Sequence, residues 1–545
     1  VRLSKNYPHH LYKFTSNRLC QNVTLVMQFI QGKNRTQSIL FPKSLDQIVE
    51  QDNEVRIIDL FVESINLTDF KFVIKTTKEG RPAYHPKDLL KLFVYGYLNH
   101  IRSSRQLEKE CKRNIELLWL MKELAPDHNT ISNFRRDNEK AIRKVFRHTI
   151  SIAKHFDLIG GTLVAGDGTK LRAQNSKKNN FNEGKIERHL AYIDAKLDEY
   201  NNALVQADGD NKKAIEAEIK KHTGRKNDYE NMSRQLEQTG EPQISASDPE
   251  SRQLMTRNNI SEVAYNVQTV VDAKHYLPID YKVTNENDTR ALSGMLRRTS
   301  IILGTANFTA LYDKGYHTGS EIKKAVTSGI EIMVAIPAIA SVAPDENYNM
   351  SHFKYDEIND TYTCPQNHIL TTNGNYYQKS KNKHYYAAKH YKTNACQGCP
   401  ARTLCTVSIQ GRLIVRSEFA TYVEQNRLNI EANPETYKKR QSIVEHPYGT
   451  IKRQWGYYYV ITKKGIKRAS ADVGFMFIAY NLRRLMNIID KNLFKKYLEE
   501  LALSFSKILA SLKAITFKMR HSIFSQRLSK IFFYPVRNSF QLIYI

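Results

Sequence analysis

Three acidic residues far apart in the chain, Asp167, Asp313 and Glu445, stand in surroundings suited to holding cations. Asp167 closes the apolar run Thr162-Leu-Val-Ala165 within Gly166-Asp-Gly168, and Asp313 closes the run 308–312 ahead of Lys314-Gly315. A carboxylate at the end of a core strand is rigidly held and can approach a second one on a neighbouring strand. Such groups offer the oxygen ligands that Mg²⁺ prefers. Phosphodiester chemistry uses two divalent ions about 3.5–4 Å apart, one activating the attacking oxygen and one stabilising the leaving oxygen. Each residue also has a plainer reading: Asp-Gly is a common turn, and Asp313 would cap a helix beginning near Thr318.

Glu445 lies in Val444-Glu-His-Pro-Tyr-Gly-Thr-Ile-Lys452. Pro447 suits a first helical turn, which predicts a helix from Pro447 through Lys452. Glu445 and Lys452 are almost two turns apart and so share a face, one directed toward cations and the other toward a phosphate. An acidic residue that merely compensates a helix dipole would explain Glu445. It would leave Lys452 and the following Trp455-Gly-Tyr-Tyr-Tyr459 without a reason. A second cluster is Cys364, Cys396-Gln-Gly-Cys399 and Cys405. Four thiolates around a Cys-x-x-Cys knuckle suit a structural Zn²⁺, with reduced unligated thiols as the alternative and His368 or His390 as possible replacements for a cysteine.

These residues need a scaffold. The strand-like runs 162–165, 263–271, 277–283, 308–312 and 331–336, interleaved with helical segments at 288–302 and 320–327, predict an RNase H-like domain, a mixed α/β sheet flanked by helices. It spans residues 158–490. Two inserts interrupt it: a helical hairpin at 185–237, which would pack on itself or meet DNA or another subunit, and a cysteine-bearing segment at 338–435. Residues 1–157 form an all-α domain, with a helix opening at Pro86, a capping box at Ser103 and Gln106, and a helix from Asp127. The last of these, with Arg135 and Arg136 on its flank, reads either as a helix-turn-helix-like DNA reader or as a plain helical bundle with solvated charges. Residues 491–545 read as a basic amphipathic tail.

The composition narrows the partners. Among 545 residues, 82 Lys and Arg against 55 Asp and Glu give a net charge of +27, which favours a polyanion, nucleic acid first. The sequence shows no apolar run of membrane-spanning length and no signal-peptide pattern, so a cytoplasmic protein is expected.

Several motifs in order, Gly166-Asp-Gly-Thr-Lys170 with Asn175-Ser-Lys177, Asn266-Val-Gln268 leading to Val271-Asp272, Asp313-Lys-Gly-Tyr316, the Glu445 segment and Ala479-Tyr-Asn-Leu-Arg483, closely resemble the signatures of insertion-sequence DDE transposases, relatives of retroviral integrases. Upstream, Arg81-Pro-Ala-Tyr-His-Pro86 and Asp127-His-Asn-Thr-Ile-Ser132 resemble that group's helical N-terminal domain, and the likeness runs over roughly residues 40–490. The resemblance implies that Asp167, Asp313 and Glu445 bind two Mg²⁺ (or Mn²⁺) ions. It implies that Lys452 meets an end phosphate, with Lys170, Arg440, Arg135 and Arg136 as further DNA contacts. Related enzymes set a Tyr and an Arg in fixed register before the Glu. Tyr437 and Arg440 keep their mutual spacing here, but Gln441 occupies the expected Arg position. Asp272 ends a strand and reads as structural. The resemblance also implies a similar cysteine set in relatives, water attack at the element's ends, attack of the freed 3′-hydroxyl on target double-stranded DNA, and a homodimer at synapsis. Two other readings remain: a transposase-derived DNA-binding protein without activity, and another RNase H-like nuclease.

Overall fold

The computed structural model describes residues 44–74, 82–255, 260–337, 343–381, 384–462 and 464–503. Residues 1–40, Arg81 of the upstream motif and the tail beyond residue 503 lie outside them. The short helix Leu45–Ile48 falls in a first unit, residues 1–48; the remainder is a second compact unit.

Local signals start the helices of the second unit. Helix α1 (Glu54–Glu63) opens where the Asn53 side chain accepts from the Val55 amide, and α2 (Pro86–Leu98) carries its proline in the first turn. Then come α3 (Ser104–Glu110), α4 (Ile115–Leu120), α5 (His128–Asp137) and α6 (Glu139–His155). Asp127 caps α5 through the Asn129 and Thr130 amides, as its sequence suggested. The capping box expected at Ser103 does not form, because that side chain makes no cap hydrogen bond.

The sheet follows. Strand β1 (Leu163–Arg172) leads into a hairpin of α7 (Glu183–Leu204) and α8 (Gly209–Thr239), then β2 (Arg252–Met255), β3 (Ser261–Asp272) and β4 (Pro278–Thr284). Helix α9 (Leu292–Leu303), β5 (Thr309–Tyr312), α10 (Gly319–Thr327) and β6 (Glu331–Val334) complete it. β1 pairs antiparallel with β3, and β3 with β4; on its other edge β1 pairs parallel with β5, and β5 with β6. That order and those directions make an RNase H-like core. Small antiparallel sheets fill the cysteine-bearing insert: β7 (Lys354–Asp356), β8 (Thr361–Thr363) and β9 (Ile369–Leu370), then β10 (Tyr377–Lys381), β11 (His384–Tyr391) and β12 (Ile414–Ser417). The chain returns to the core through α11 (Ala420–Ala432), where the Asn426 side chain pairs with both the N–H and the C=O of Val334 on β6. Helices α12 (Pro434–Tyr448) and α13 (Ile466–Ile488) follow.

Helix α13 is apolar nearly all round because it is enclosed, with every residue from Ala469 to Leu482 buried. It packs against the N-terminal helices: the Phe93 and Tyr97 rings of α2 stack on Phe475 at 4.8 and 5.2 Å. Its one acidic residue, Asp472, is fully buried. The carboxylate accepts from Tyr97 Oη and, at 2.7 Å, from the Ile461 amide, with Arg102 at 3.7 Å and Arg135 at 3.8 Å. This corrects one sequence expectation. Arg135 is only 5% exposed and donates to Tyr97 Oη and the Arg102 carbonyl, so it welds α5 to α13 and lies in the interior rather than on the exposed flank of α5. Arg136, on the same helix, is exposed and paired with Asp137.

Removing one partner from a buried ionic cluster leaves the others uncompensated, a loss of about 3–5 kcal/mol. Asp472→Ala should therefore lower the unfolding free energy measured by chemical denaturation by that amount. Asp472→Asn, which retains an acceptor for the Ile461 amide, should lose less; equal stability of all three proteins would refute the role given to this carboxylate.

Candidate functional site

Sheet pairing brings the first two acidic residues together. In the parallel register Ala165 lies opposite Leu311, so Asp167 within β1 and Asp313 just past β5, each two residues further on, fall side by side on the same face. Asp313 Oδ1 accepts from the Gly315 amide and Asp167 Oδ1 from the Gly168 amide, both at 2.8 Å. Burial, and after it the negative charge of Asp313, pushes the Asp167 carboxyl up to about 6, and the Arg440 guanidinium opposes the rise.

Helix α12 crosses this face. Its Ile443 and Val444 seal onto Ala165, Val271, Leu311 and Met333, a small apolar cluster separate from the main core. The next residue, Glu445, is thereby delivered to the site. It shares a cavity of about 710 Å³ with Asp167, Thr169, Lys170, Lys452 and Arg453. Here the structure departs from the expected helix start. Pro447 lies inside a helix that begins at Pro434, and a π-helical turn, Gly449–Gln454, follows. Glu445 is therefore near the C-terminal end of α12, where a helix dipole does not favour an acid. Lys452 reaches β1, donating to Thr169 Oγ1 at 3.0 Å and to the Lys170 carbonyl at 3.3 Å.

Neighbours fix α12 in this place. Tyr448 Oη donates to the Asp167 and Val267 carbonyls, and His446 is bonded to Tyr480 Oη at 2.7 Å and stacked on Tyr276. The motif 479–483 thus works through contact: Tyr480 holds His446, Asn481 bonds Thr149 and the Pro278 carbonyl, and Arg483 pairs with Glu54. Arg440 lies near Asp167 and Tyr437, while Gln441 donates to Glu445 Oε1 at 3.1 Å. Tyr437 Oη donates to the Tyr312 carbonyl, next to Asp313. Asp272 is fully buried, and its carboxylate accepts from the amides of Gly160, Gly161 and Lys274, which shapes the approach to β1.

Among the described residues, no three His, Cys, Asp or Glu side chains are gathered into a group that could hold a metal ion as they stand. That applies to the cysteines too. Cys364, Cys396, Cys399 and Cys405 nevertheless line one small cavity of about 20 Å³, together with His368. All four are free thiols; the His368 amide donates to Cys364 Sγ, and burial pushes the Cys405 thiol up. His390 lies elsewhere, stacked on Tyr377.

Sequence reasoning missed Asp288, on a 3-10 turn before α9. Its carboxylate accepts from Asn266, Gln268 and Lys170 beside the Asp167 strand. The signal was present: both Asp motifs carry a nearby glycine, Gly168 and Gly315, and both glycines border Asp288.

Comparison with known families agrees with this architecture. A family described as a transposase domain (DUF772) matches residues 43–137, and one described as a transposase DDE domain matches residues 363–486. Two segments of the chain thus match transposase domain families. The second match holds Glu445, Lys452 and the four cysteines; Asp167 and Asp313 fall outside both. No curated protein matches the chain. A solved structure, a piggyBac transposase synaptic complex with hairpin DNA, aligns over 84% of this chain and 82% of its own at 8% identity and a TM-score of 0.26. No helix among the described residues is long and apolar enough to cross a membrane.

Gly166 offers a test of how tightly the site is built, since a Cβ there would overlap the buried Tyr312 ring. Overpacking of this kind typically destabilises by about 1–3 kcal/mol. Gly166→Ala should lose that much and should speed amide exchange along β1 and β5; unchanged exchange there would contradict the tight packing of the two strands.

Proposed function

We propose that the protein is an active transposase, which cuts DNA at the ends of an insertion sequence and joins the freed 3′ ends to target DNA. The observation that carries the reading is the placement of Asp167 within β1 beside Asp313, just past the end of the parallel β5, with Glu445 lining the same basic-rimmed cavity as Asp167. Hard carboxylate oxygens fit Mg²⁺ or Mn²⁺. Asp167 and Asp313 would hold the cations, and Glu445 would turn from Gln441 to join them. When bound, paired ions would activate the attacking oxygen and stabilise the leaving one. Tyr448 and His446 hold α12 against the strands while this happens, and Lys452, Lys170 and Arg453 offer positive charge to the phosphates. Arg440, beside Asp167, is a further candidate for phosphate contact, and Arg136 is one on the N-terminal helices. The net charge of +27 fits a double-stranded DNA partner. Joining two element ends calls for two copies of the chain, and the protein would act in a bacterial cytoplasm. The four thiols around one small cavity fit a structural Zn²⁺ that stabilises the insert and takes no part in the reaction.

The direct test incubates purified protein with labelled DNA bearing the inverted repeats that flank its gene. Mg²⁺-dependent nicking at the repeat ends is expected. Asp167→Asn, Asp313→Asn and Glu445→Gln should each reduce it more than about 100-fold, beyond the effect usual for residues that only orient a metal's ligands, while still binding DNA. Binding by wild type without cleavage would instead mark a DNA-binding descendant of a transposase, and cleavage indifferent to the end sequence a general nuclease. Elemental analysis checks the insert separately: about one zinc per chain in the wild type, lost in Cys396→Ser/Cys399→Ser, is the expected outcome, and a zinc-free wild type would refute the site.

A further inference from the structure

Asp288 has more to explain than its place in a turn. It is a carboxylate at the edge of an already crowded anionic site, and its negative charge is among the influences that raise the Asp167 carboxyl. Its oxygens are occupied. Oδ1 accepts from Gln268 Nε2 at 2.6 Å and Asn266 Nδ2 at 2.8 Å, and Oδ2 pairs with Lys170 Nζ at 3.0 Å. Gln268 and Asn266 lie on β3 directly opposite Gly168 and Lys170 of β1, so the cluster spans the strand that carries Asp167. Gln268 in turn accepts from Tyr316 Oη, which belongs to the turn after Asp313.

The backbone leaves room for this carboxylate on both sides. A Cβ on Gly168 would overlap Asp288 Oδ1, and a Cβ on Gly315 would stand 3.7 Å from Oδ2. The two glycines beside the two acidic residues therefore flank one anion, which links the Asp167 strand to the Asp313 turn. Three donors, one of them a charged ammonium, leave the group little capacity to ligate a metal as well.

We propose that Asp288 is a positioning residue. By accepting from Asn266, Gln268 and Lys170, it fixes the Asp167 strand against the Asp313 turn, so that the carboxylate pair is preorganised for a divalent cation. This rests on the reading of Asp167 and Asp313 as cation ligands. Residues around a metal site that orient its ligands typically change metal affinity or activity by about 10–100-fold.

The experiment measures Mn²⁺ affinity by electron paramagnetic resonance on the full chain, alongside DNA affinity, thermal midpoint and cleavage rate. Asp288→Asn and Gly168→Ala are each expected to weaken Mn²⁺ about tenfold or more and to slow cleavage, with DNA affinity within about twofold of wild type. Because both act on the same contact, the double variant should be no worse than the weaker single one. Normal Mn²⁺ affinity in Asp288→Asn overturns the proposal and leaves the proposed function standing. Loss of Mn²⁺ as complete as in Asp167→Asn also overturns it, by making Asp288 a ligand. Additive losses in the double variant that track a lower thermal midpoint would reduce Asp288 to a purely structural role and overturn it as well. Failure of the wild type both to bind Mn²⁺ and to cut DNA defeats the proposal together with the function it rests on.

Discussion

Two acidic side chains are held side by side on parallel strands, one within β1 and one just past the end of β5, and the site is organised around that arrangement. Unit charges about 5 Å apart in a protein-like medium repel by about 3 kcal/mol. The Gly168 and Gly315 amides and the Arg440 guanidinium offset part of this, the pairing of β1 with β5 keeps the two together, and burial first and the Asp313 charge second raise the Asp167 carboxyl to about 6.

The rest of the molecule resists relaxation of that pair. The apolar seal of Ile443 and Val444 presses α12 onto the strands, and the His446–Tyr480 contact ties it to α13. Helix α13 in turn carries the buried Asp472 cluster that binds the N-terminal helices to the core. The N-terminal helices and the sheet share one hydrophobic core, so a load on the former is transmitted to the frame that holds the carboxylates.

Much of this was legible in the residues. The strand-like runs located five strands of the sheet and hence the RNase H-like order, and the segment 185–237 folds as the expected helical hairpin, α7 and α8. Long-range packing was not legible. Pro447 suggests a helix start, yet α12 begins at Pro434 and tolerates the proline just before the π-helical segment that starts at Gly449, a geometry that helix-start rules do not anticipate. Arg135 sits on a polar-looking helix, and only the fold shows that Asp472, more than 300 positions away, draws it inward. Asp288 escaped notice because its three donors lie on strands separated from it in sequence, although the paired glycines had marked a close approach.

The claim on which the account depends is that Asp167, Asp313 and Glu445 converge on shared cations. Anomalous diffraction from crystals of the protein with end DNA and Mn²⁺ measures this directly. The account predicts manganese peaks bridging Asp167 and Asp313, with Glu445 rotated away from Gln441 to complete the coordination. Manganese bound elsewhere, or Glu445 still paired with Gln441 beside an occupied Asp167–Asp313 site, would contradict it.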